Sequence, residues 1–154
     1  MLGVEPIGYV VGGRAEPVDD DWDAVTATIR LDATRFDADA LRCLDAFSHV
    51  EVLYHFHQVS PDAVQSGARR PRDNPAWPEV GIFAQRGKVR PNRLGVSVCA
   101  IEGVEGLEVA VRGLDAIDGT PVVDLKPVMR EFLPRGDVRQ PPWSSELMAG
   151  YWRS

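Results

Sequence analysis

Four cationic side chains lie within eight residues of an otherwise acidic chain, between two apolar segments that are typical of strands. Arg86, Lys88, Arg90 and Arg93 share a loop that Pro91 stiffens. A guanidinium grips a carboxylate through two parallel hydrogen bonds, which makes Arg86 and Arg90 candidates for binding an anionic group. A solvated basic turn in an antiparallel sheet is the alternative, and the residues alone leave both open.

The three histidines lie on one segment that has the alternation of a strand. In an extended chain His49, His55 and His57 share one face, and Tyr54 lies on the opposite, mainly apolar face, which we expect to be core. A zinc site would need more ligands than His55 and His57, and no segment nominates them, so we predict no metal. Hydrogen-bonded strand histidines and a ligand pocket remain the alternatives. Tyr54 and His55, with His57, are the local candidates for a general base.

The charge of the chain limits its partners. The protein carries a formal net charge of −6 and has a pI near 5.0, whereas nucleic-acid binding usually draws on a net basic face. Charge alone therefore favours a small substrate over a nucleic acid. No apolar run approaches the ~20 residues of a membrane span, and the N-terminus lacks a basic-then-apolar leader. We expect a cytoplasmic protein with no membrane association, in which Cys43 and Cys99 stay reduced.

Short alternating or apolar segments separated by turn residues predict an all-β fold, a small barrel-like domain with one or two short helices. Asp37 is placed to cap a short helix, and residues 144–152 indicate an amphipathic helix or an arm packed on a neighbour. The chain is expected to divide into a barrel domain over 1–127 and a Pro-rich C-terminal arm over 128–154. Strands are expected over 6–12, 24–31, 49–59, 80–85, 94–101, 107–114 and 121–125.

Several motifs together resemble one protein family. The pattern GIFAQR–x3–RPNRLGVSV over 81–98 is similar to the GVFATR–x3–RPNPIGLS core of the TrmO-like (TsaA-type) methyltransferases. AFSHV at 46–50, FHQ at 56–58 and GLDAIDGTPV at 113–122 match further family motifs in the same order. The resemblance covers roughly residues 5 to 127. It implies a small β-barrel, usually dimeric, that uses S-adenosylmethionine as its cofactor.

The resemblance also carries cofactor-binding positions over to this chain. A carboxylate such as Asp115 suits the amine and ribose hydroxyls of S-adenosylmethionine, and Gly95 permits close backbone approach to a flat base. Asn92 would either pair with an adenine edge or close the turn after Pro91. The Asp118–Gly119 turn would either present groups to the ligand or serve as a structural hairpin. The implied cofactor-binding set is His57, Gln58, Arg86, Arg90, Pro91, Asn92, Gly95, Val96, Asp115, Asp118, Gly119, Thr120 and Pro121.

Some segments depart from the family pattern. The PRQ segment near the family's N-terminus is not recognisable, and Arg14 within GRAEP at 13–17 is a substitute for it at most. Val89 replaces a commonly polar residue, and Trp77, in an inserted segment, could stack on a base or cover a sulfonium. We predict that Trp77 and Val89 bind the substrate. We expect a protein that stops soon after the barrel and lacks the additional domain that the resemblance assigns to tRNA handling.

These observations predict an S-adenosylmethionine-dependent N-methyltransferase. The resemblance implies that the acceptor is the exocyclic nitrogen of a threonylcarbamoyl-modified adenosine in tRNA. A small-molecule acceptor is the alternative that charge favours, and a non-catalytic cofactor-binding module is the third. The methyl group would move by in-line displacement, accelerated mainly by alignment of the reactants. We expect a homodimer whose second subunit completes the site.

Overall fold

The protein, described by a computed structural model over residues 1–153, is a closed β-barrel. The strands are β1 (Gly8–Val11), β2 (Thr26–Leu31), β3 (His49–His55), β4 (Ala68–Arg69), β5 (Val80–Gly81), β6 (Leu94–Glu105), β7 (Glu108–Arg112) and β8 (Pro121–Pro127). The barrel strands pair antiparallel around the ring in the order β1–β2–β7–β6–β3–β8, and β8 closes the ring by pairing with β1. Strands β4 and β5 form a separate two-stranded sheet. The expected all-β barrel is therefore confirmed.

Helices are few and short. One α-helix, α1, covers Pro142–Leu147. Single 3-10 turns cover Ala38–Leu41, Leu44–Ala46, Pro61–Ala63, Pro71–Asp73, Ile82–Ala84 and Arg130–Phe132. Within residues 1–153 no helix has the length and apolar character needed to cross a membrane.

Alternation along the strands fills the interior of the barrel. On β3 the buried side chains are Val50, Val52 and Tyr54, while the residues between them stay partly exposed, as the sequence pattern predicts. Ile29 on β2 and Val111 on β7 are fully buried in the same core. Burying one such aliphatic side chain stabilises the fold by about 1.5–3 kcal/mol relative to leaving it in water. The inward row is thus what fixes the register of each strand.

The antiparallel pairing brings three loops to one end of the barrel. Thr26 pairs with Arg112, His55 with Leu94, and Tyr9 with Pro121, so these strand ends lie together. The loops that extend beyond them cover 12–25, 56–93 and 113–120, and we call this side of the molecule the loop end. Every motif that resembles the family, except AFSHV, lies in these loops or in the strand ends beside them.

Some local predictions differ from the structure. The strand expected over 49–59 ends at His55, and His57 and Gln58 lie in a turn. The helix expected after Asp37 is two 3-10 turns, because Cys43 between them has φ of 71° and breaks the hydrogen-bonding pattern. Asp37 does cap the first turn, since its side chain accepts from the backbone N of Asp39 (2.9 Å). The strand expected over 80–85 ends at Gly81, because the Gln85 side chain donates to Val80 O (3.0 Å) and holds the chain in a turn.

The C-terminal segment returns to the loop end of its own chain. The backbone N of Asp21 donates to Gly150 O (3.1 Å), and that of Trp22 donates to Tyr151 O (2.8 Å). The Trp152 ring lies 3.5 Å from where a Cβ on Gly113 would be. Two of the three loops at this end are thus held by the last residues that the structure describes.

Candidate active site

A polar cluster lies inside the barrel at the loop end, where the neighbouring interior is apolar. Tyr54 on β3 and Ser97 on β6 are both buried, and their hydroxyl oxygens lie 3.1 Å apart. The backbone N of Asp115 donates to the Ser97 hydroxyl oxygen (3.4 Å), which joins the loop 113–120 to this pair. The sequence analysis did not nominate Ser97 as a site residue. It is a polar residue at an inward position of an otherwise apolar strand, and that pattern could have identified it.

Asp115 is the ionisable centre of the cluster. The Tyr151 hydroxyl donates to Asp115 Oδ2 at 2.5 Å. Burial raises the pKa of the Asp115 carboxyl and outweighs the Tyr151 hydrogen bond and the nearby charges of Arg14 and Arg86, which lower it. A carboxylate with a raised pKa accepts strongly from any donor that can replace its lost hydration. Nothing in the sequence indicates the Tyr151 contact, since it depends on how the C-terminal segment folds back.

Arg86 places a positive charge beside this cluster. Its Nη2 donates to Val96 O (3.3 Å), and its charge acts to lower the pKa values of Asp115, Tyr54 and Tyr151. Within residues 1–153 Arg86 has no carboxylate within salt-bridge distance, and its side chain is exposed. The guanidinium is therefore available to an anionic ligand at the rim of the site.

The other residues of the basic loop shape its backbone. Arg90 Nη1 donates to Gln85 O (2.7 Å) and Gly87 O (3.4 Å), so its side chain closes the loop on itself. The turn after Pro91 closes through backbone, Arg93 N to Arg90 O (2.9 Å), and leaves the exposed Asn92 side chain available. The hydrogen bond from Arg93 Nη1 to Val59 O (2.7 Å) anchors the loop to the segment after β3.

Polar groups of the turn at 115–121 make hydrogen bonds that stabilise the loops around it. Asp118 Oδ1 accepts from Gly12 N (2.8 Å), and Asp118 N donates to Arg14 O (2.7 Å), so this residue links two loops. The buried Thr120 hydroxyl donates to Ile117 O (2.7 Å), and Pro121 pairs with Tyr9 as β8 begins. The backbone donors of this turn are also paired, since Gly119 N, where φ is 85°, donates to Val10 O (2.8 Å) and Thr120 N donates to Ile117 O (3.2 Å). The hairpin alternative thus accounts for the polar side chains.

Tyr54 and His55 lie on opposite faces of β3, and His57 lies beyond the end of this strand. His57 and Gln58 are exposed, and His57 Nε2 would lie 3.9 Å from a Cβ on Gly119, so the FHQ segment lies beside the turn. His55 is on the outer face of β3, and burial followed by the charges of Arg93 and His57 lowers its pKa. Burial, followed by the charge of Asp115, raises the pKa of Tyr54, so its hydroxyl keeps its proton at neutral pH. Tyr54 and His55 therefore face opposite sides of one strand.

The two predicted substrate residues lie away from the interior cluster, in the long loop. Trp77 is half-buried, and its Nε1 donates to Glu146 Oε2 of α1 (2.8 Å). Val89 is half-buried, and its carbonyl accepts from Gln65 N (2.6 Å). No pattern in the sequence indicates the contact between Trp77 and α1.

Arg14, the weak substitute for the missing PRQ segment, is anchored in the loop 12–25. It donates to Asp20 O (2.7 Å) and Asp21 O (2.5 Å), and its guanidinium stacks 4.4 Å above the Trp22 ring. No group of three or more His, Cys, Asp and Glu side chains within residues 1–153 is arranged to hold a metal ion.

The fold and the cluster define a class: small antiparallel β-barrels that carry a polar cluster at one end. Residues 17–132 match the sequence profile of the tRNA-methyltransferase O N-terminal domain, and the chain belongs to this family.

Known relatives agree with this assignment. The chain is 33% identical over 138 residues to the mouse tRNA (adenine(37)-N6)-methyltransferase, a match that covers 85% of this chain and 32% of that protein. It is 31% identical to a probable S-adenosyl-L-methionine-binding protein of Pyrococcus abyssi, covering 90% and 74% of the two chains. The crystal structure of TrmO from Pseudomonas aeruginosa superposes with a TM-score of 0.72 at 31% identity, covering 90% and 61%. The chain spans about a third of the length of its mammalian relatives.

Proposed function

We propose that the protein is an S-adenosylmethionine-dependent N-methyltransferase whose acceptor is a modified adenosine in tRNA. The main support for the proposal is that Asp115 and Arg86 lie near each other at the loop end, where the family motifs also lie. Relatives that act on adenine 37 of tRNA, or that bind S-adenosyl-L-methionine by name, support the reaction class.

The residues present fit the cofactor. Its amino-acid tail has one carboxylate and one ammonium, and Arg86 and Asp115 offer the complementary charges. The edge-to-face pair of Tyr54 and Phe56, with ring centroids 5.5 Å apart, gives an aromatic wall beside Gly95. When bound, S-adenosylmethionine supplies a methyl group on a positively charged sulfur. Arg86 would hold the carboxylate, and Asp115 would accept from the ammonium or a ribose hydroxyl.

Positioning is the main contribution of these residues to the rate. Tyr54 keeps its proton, so it would orient groups through Ser97 and not act as a base. An acceptor nitrogen that loses its proton late needs no strong base, and the well-packed barrel wall keeps the reacting groups aligned. His57 and Gln58, exposed beside Gly119, lie where they would contact an acceptor at the rim.

A small-molecule acceptor is a second candidate, and the charge distribution favours it. A second basic segment, residues 68–72, has three arginines. Arg72 lies 3.1 Å from Asp20 and 3.7 Å from Asp19, and Arg69 lies 3.1 Å from Asp73, so carboxylates offset two of these three charges. Phosphate binding would then depend mainly on the basic loop at 86–93.

We also propose that the protein is a homodimer that forms through the outer face of β3 and β6. This face carries Val98 and Phe132, which are 51% and 83% exposed, and Met129 and Leu133 beside them. The groove between them, about 260 Å³, is also lined by Arg86. A second copy seated there would bury an apolar surface and would stand next to the site, which supports a shared site.

The organisation into a barrel over 1–127 and an arm over 128–154 is part of the same proposal. The barrel strands end at Pro127, and α1 with the following residues packs on the loop end through Glu146 and Tyr151. A tRNA acceptor would place the enzyme in the cytoplasm.

A methyl-transfer assay tests the function. The protein is incubated with methyl-labelled S-adenosylmethionine and either tRNA that carries threonylcarbamoyladenosine, unmodified tRNA, or a panel of small amines. We expect single-turnover labelling of the modified tRNA and a loss of tRNA affinity as salt rises, with a slope that reflects a few phosphate contacts. Labelling of amines alone would assign the second candidate, and no labelling with intact cofactor binding would refute the methyltransferase assignment.

A further inference from the structure

The C-terminal segment supplies a side chain to the polar cluster. Backbone hydrogen bonds to Asp21 and Trp22 fix the position of Tyr151, and the Trp152 ring packs edge-on against the Tyr151 ring at a centroid distance of 4.6 Å. The phenol is half-buried and points its hydroxyl at Asp115. This arrangement is built from three separate contacts and is not an isolated surface hydrogen bond.

The Asp115 carboxylate has one occupied and one available oxygen. Oδ2 accepts from Tyr151, and within residues 1–153 no other group donates to this carboxylate. A carboxylate oxygen has two lone pairs, and a half-buried one gains most from a second donor. Oδ1 is therefore the atom at which a donor from a bound molecule would be received.

We propose that Tyr151 is a positioning residue of the active site, whose hydroxyl holds the Asp115 carboxylate so that Oδ1 receives a hydrogen-bond donor of the cofactor. The inference rests on the proposed function, since it takes S-adenosylmethionine as the ligand. It makes the C-terminal segment a functional part of the site in addition to its packing role.

Ligand binding that depends on the Asp115 carboxylate should vary with pH. The Tyr151 hydrogen bond lowers the Asp115 pKa against the effect of burial, so its removal raises that pKa further. Since the ionised carboxylate is the better acceptor, binding that depends on it is lost as the pH falls, and this loss begins at a higher pH without the hydroxyl. The groups that face Asp115 are Tyr54 on β3, Cys99 on β6, Arg14 and Asp19 in the loop 12–25, Arg86 in the basic loop, and Tyr151.

The Tyr151→Phe variant tests the inference in the full-length protein. S-adenosylmethionine affinity is measured by calorimetry from pH 5 to pH 8, and the Asp115 carboxyl is titrated by carbon NMR without ligand. We expect about a tenfold weaker affinity near neutral pH, partly recovered at high pH, and a higher Asp115 pKa in the free protein. Trp152→Phe, which keeps the hydroxyl, should leave the pH profile in place.

The outcomes separate the inference from the function. If the parent protein binds no S-adenosylmethionine at any pH, the proposed function fails, while the NMR titration still reports on the Tyr151 to Asp115 contact. If the parent binds and Tyr151→Phe gives the same affinity profile and the same Asp115 pKa, Tyr151 has no positioning role. An equal loss at every pH, shared by both variants, would reduce the segment to a packing element and overturn the inference.

Discussion

Gly95 on β6 lies directly opposite Tyr54 on β3, and the two are so close that position 95 has no room for a side chain. A Cβ there would come within 2.5 Å of the Tyr54 ring and 2.9 Å of the Phe56 ring. Tyr54 is also held by Ser97, so its ring cannot simply move aside. The glycine thus determines where the aromatic wall of the site stands.

Gly95→Ala should therefore destabilise the barrel and weaken ligand binding. We expect a loss of about 1–3 kcal/mol in the free energy of unfolding, the usual effect of inserting a methyl group into a packed core. Chemical denaturation measures it. Gly87→Ala is the matched control, since a Cβ on Gly87 meets nothing within 4 Å. If both variants unfold at the same denaturant concentration, the ring of Tyr54 is free to move and the contact is not restrictive.

The strands of the barrel could be predicted from sequence because each has one apolar face. Val50, Val52 and Tyr54 alternate with polar residues, and that pattern alone identifies the buried side of β3. Asp115 could also be nominated as a polar residue in an apolar context, and Arg86 as a guanidinium of the basic loop. These predictions depend on local sequence only.

The remaining features depend on contacts between distant segments. The bond from Tyr151 to Asp115 joins positions 36 residues apart, and no periodicity encodes it. The Gln85 side chain donates to Arg69 O (3.1 Å) and Val80 O (3.0 Å) and closes a turn after Gly81, which overrode the strand-like composition of 80–85. Tertiary geometry determines whether a side chain competes with the backbone for hydrogen bonds, and sequence patterns do not reveal such competition.

Arg86→Ala should weaken S-adenosylmethionine binding by roughly 2–4 kcal/mol, the scale for truncating one partner of a hydrogen-bonded charge pair that becomes buried when the ligand binds. Arg86 is exposed and without a carboxylate partner in residues 1–153, so the cofactor's carboxylate would be its counterion. Calorimetry gives the dissociation constant, and Arg86→Lys should recover only part of the loss because Lys lacks the planar fork. Lys88→Ala, from the same loop, is the control. An unchanged dissociation constant in Arg86→Ala would favour the alternative that Arg86 belongs to a solvated basic turn.

Asp115→Asn should make the protein more stable and less able to bind. Because burial raises the Asp115 pKa, the stability that the protonated form provides is present below the ordinary Asp pKa of 3.8 and is lost as the pH rises through the raised value. Removing the charge should raise Tm at pH 7.5 by roughly 2–4 °C, which about 1 kcal/mol produces in a domain of this size.

Thermal unfolding monitored between pH 4 and pH 8 checks this prediction. The difference in Tm between parent and Asp115→Asn should shrink as the pH falls, because protonation of the parent carboxyl removes its charge. A variant that is less stable at every pH would mean that the ionised carboxylate is stabilised by its neighbours beyond the cost of its burial.

Phe132→Asp should separate the proposed dimer. Its ring is 83% exposed in the single chain and lines the groove beside Val98. Placing a charge in a buried apolar contact should raise the dimer dissociation constant at least roughly thirtyfold, about 2 kcal/mol. Light scattering at micromolar concentration measures it. Phe83→Asp is the control, because Phe83 is 76% exposed but does not line the groove. A monomeric parent would remove the shared-site proposal.

Val89→Asn should change the acceptor preference far more than the affinity for the cofactor. Val89 is half-buried in the long loop, and its carbonyl accepts from Gln65 N at 2.6 Å, a bond that the substitution keeps. An apolar side chain at this place would shape the acceptor pocket and exclude water without gripping the cofactor's charged tail. We expect kcat/KM on modified tRNA or on small amines to change about tenfold or more, with the cofactor dissociation constant within about twofold.

Val138 of the arm offers the matched control, since Val138→Asn makes the same chemical change at a side chain that is 71% exposed. Both variants and the parent are compared on modified tRNA and on the amine panel, with calorimetry for the cofactor. A gain for tRNA and a loss for amines would mark Val89 as a specificity residue for small acceptors, because a polar side chain suits a hydrogen-bonded base. Equal turnover of all three proteins on every acceptor would show that Val89 faces away from the pocket, and the case for a small acceptor would then rest on charge alone.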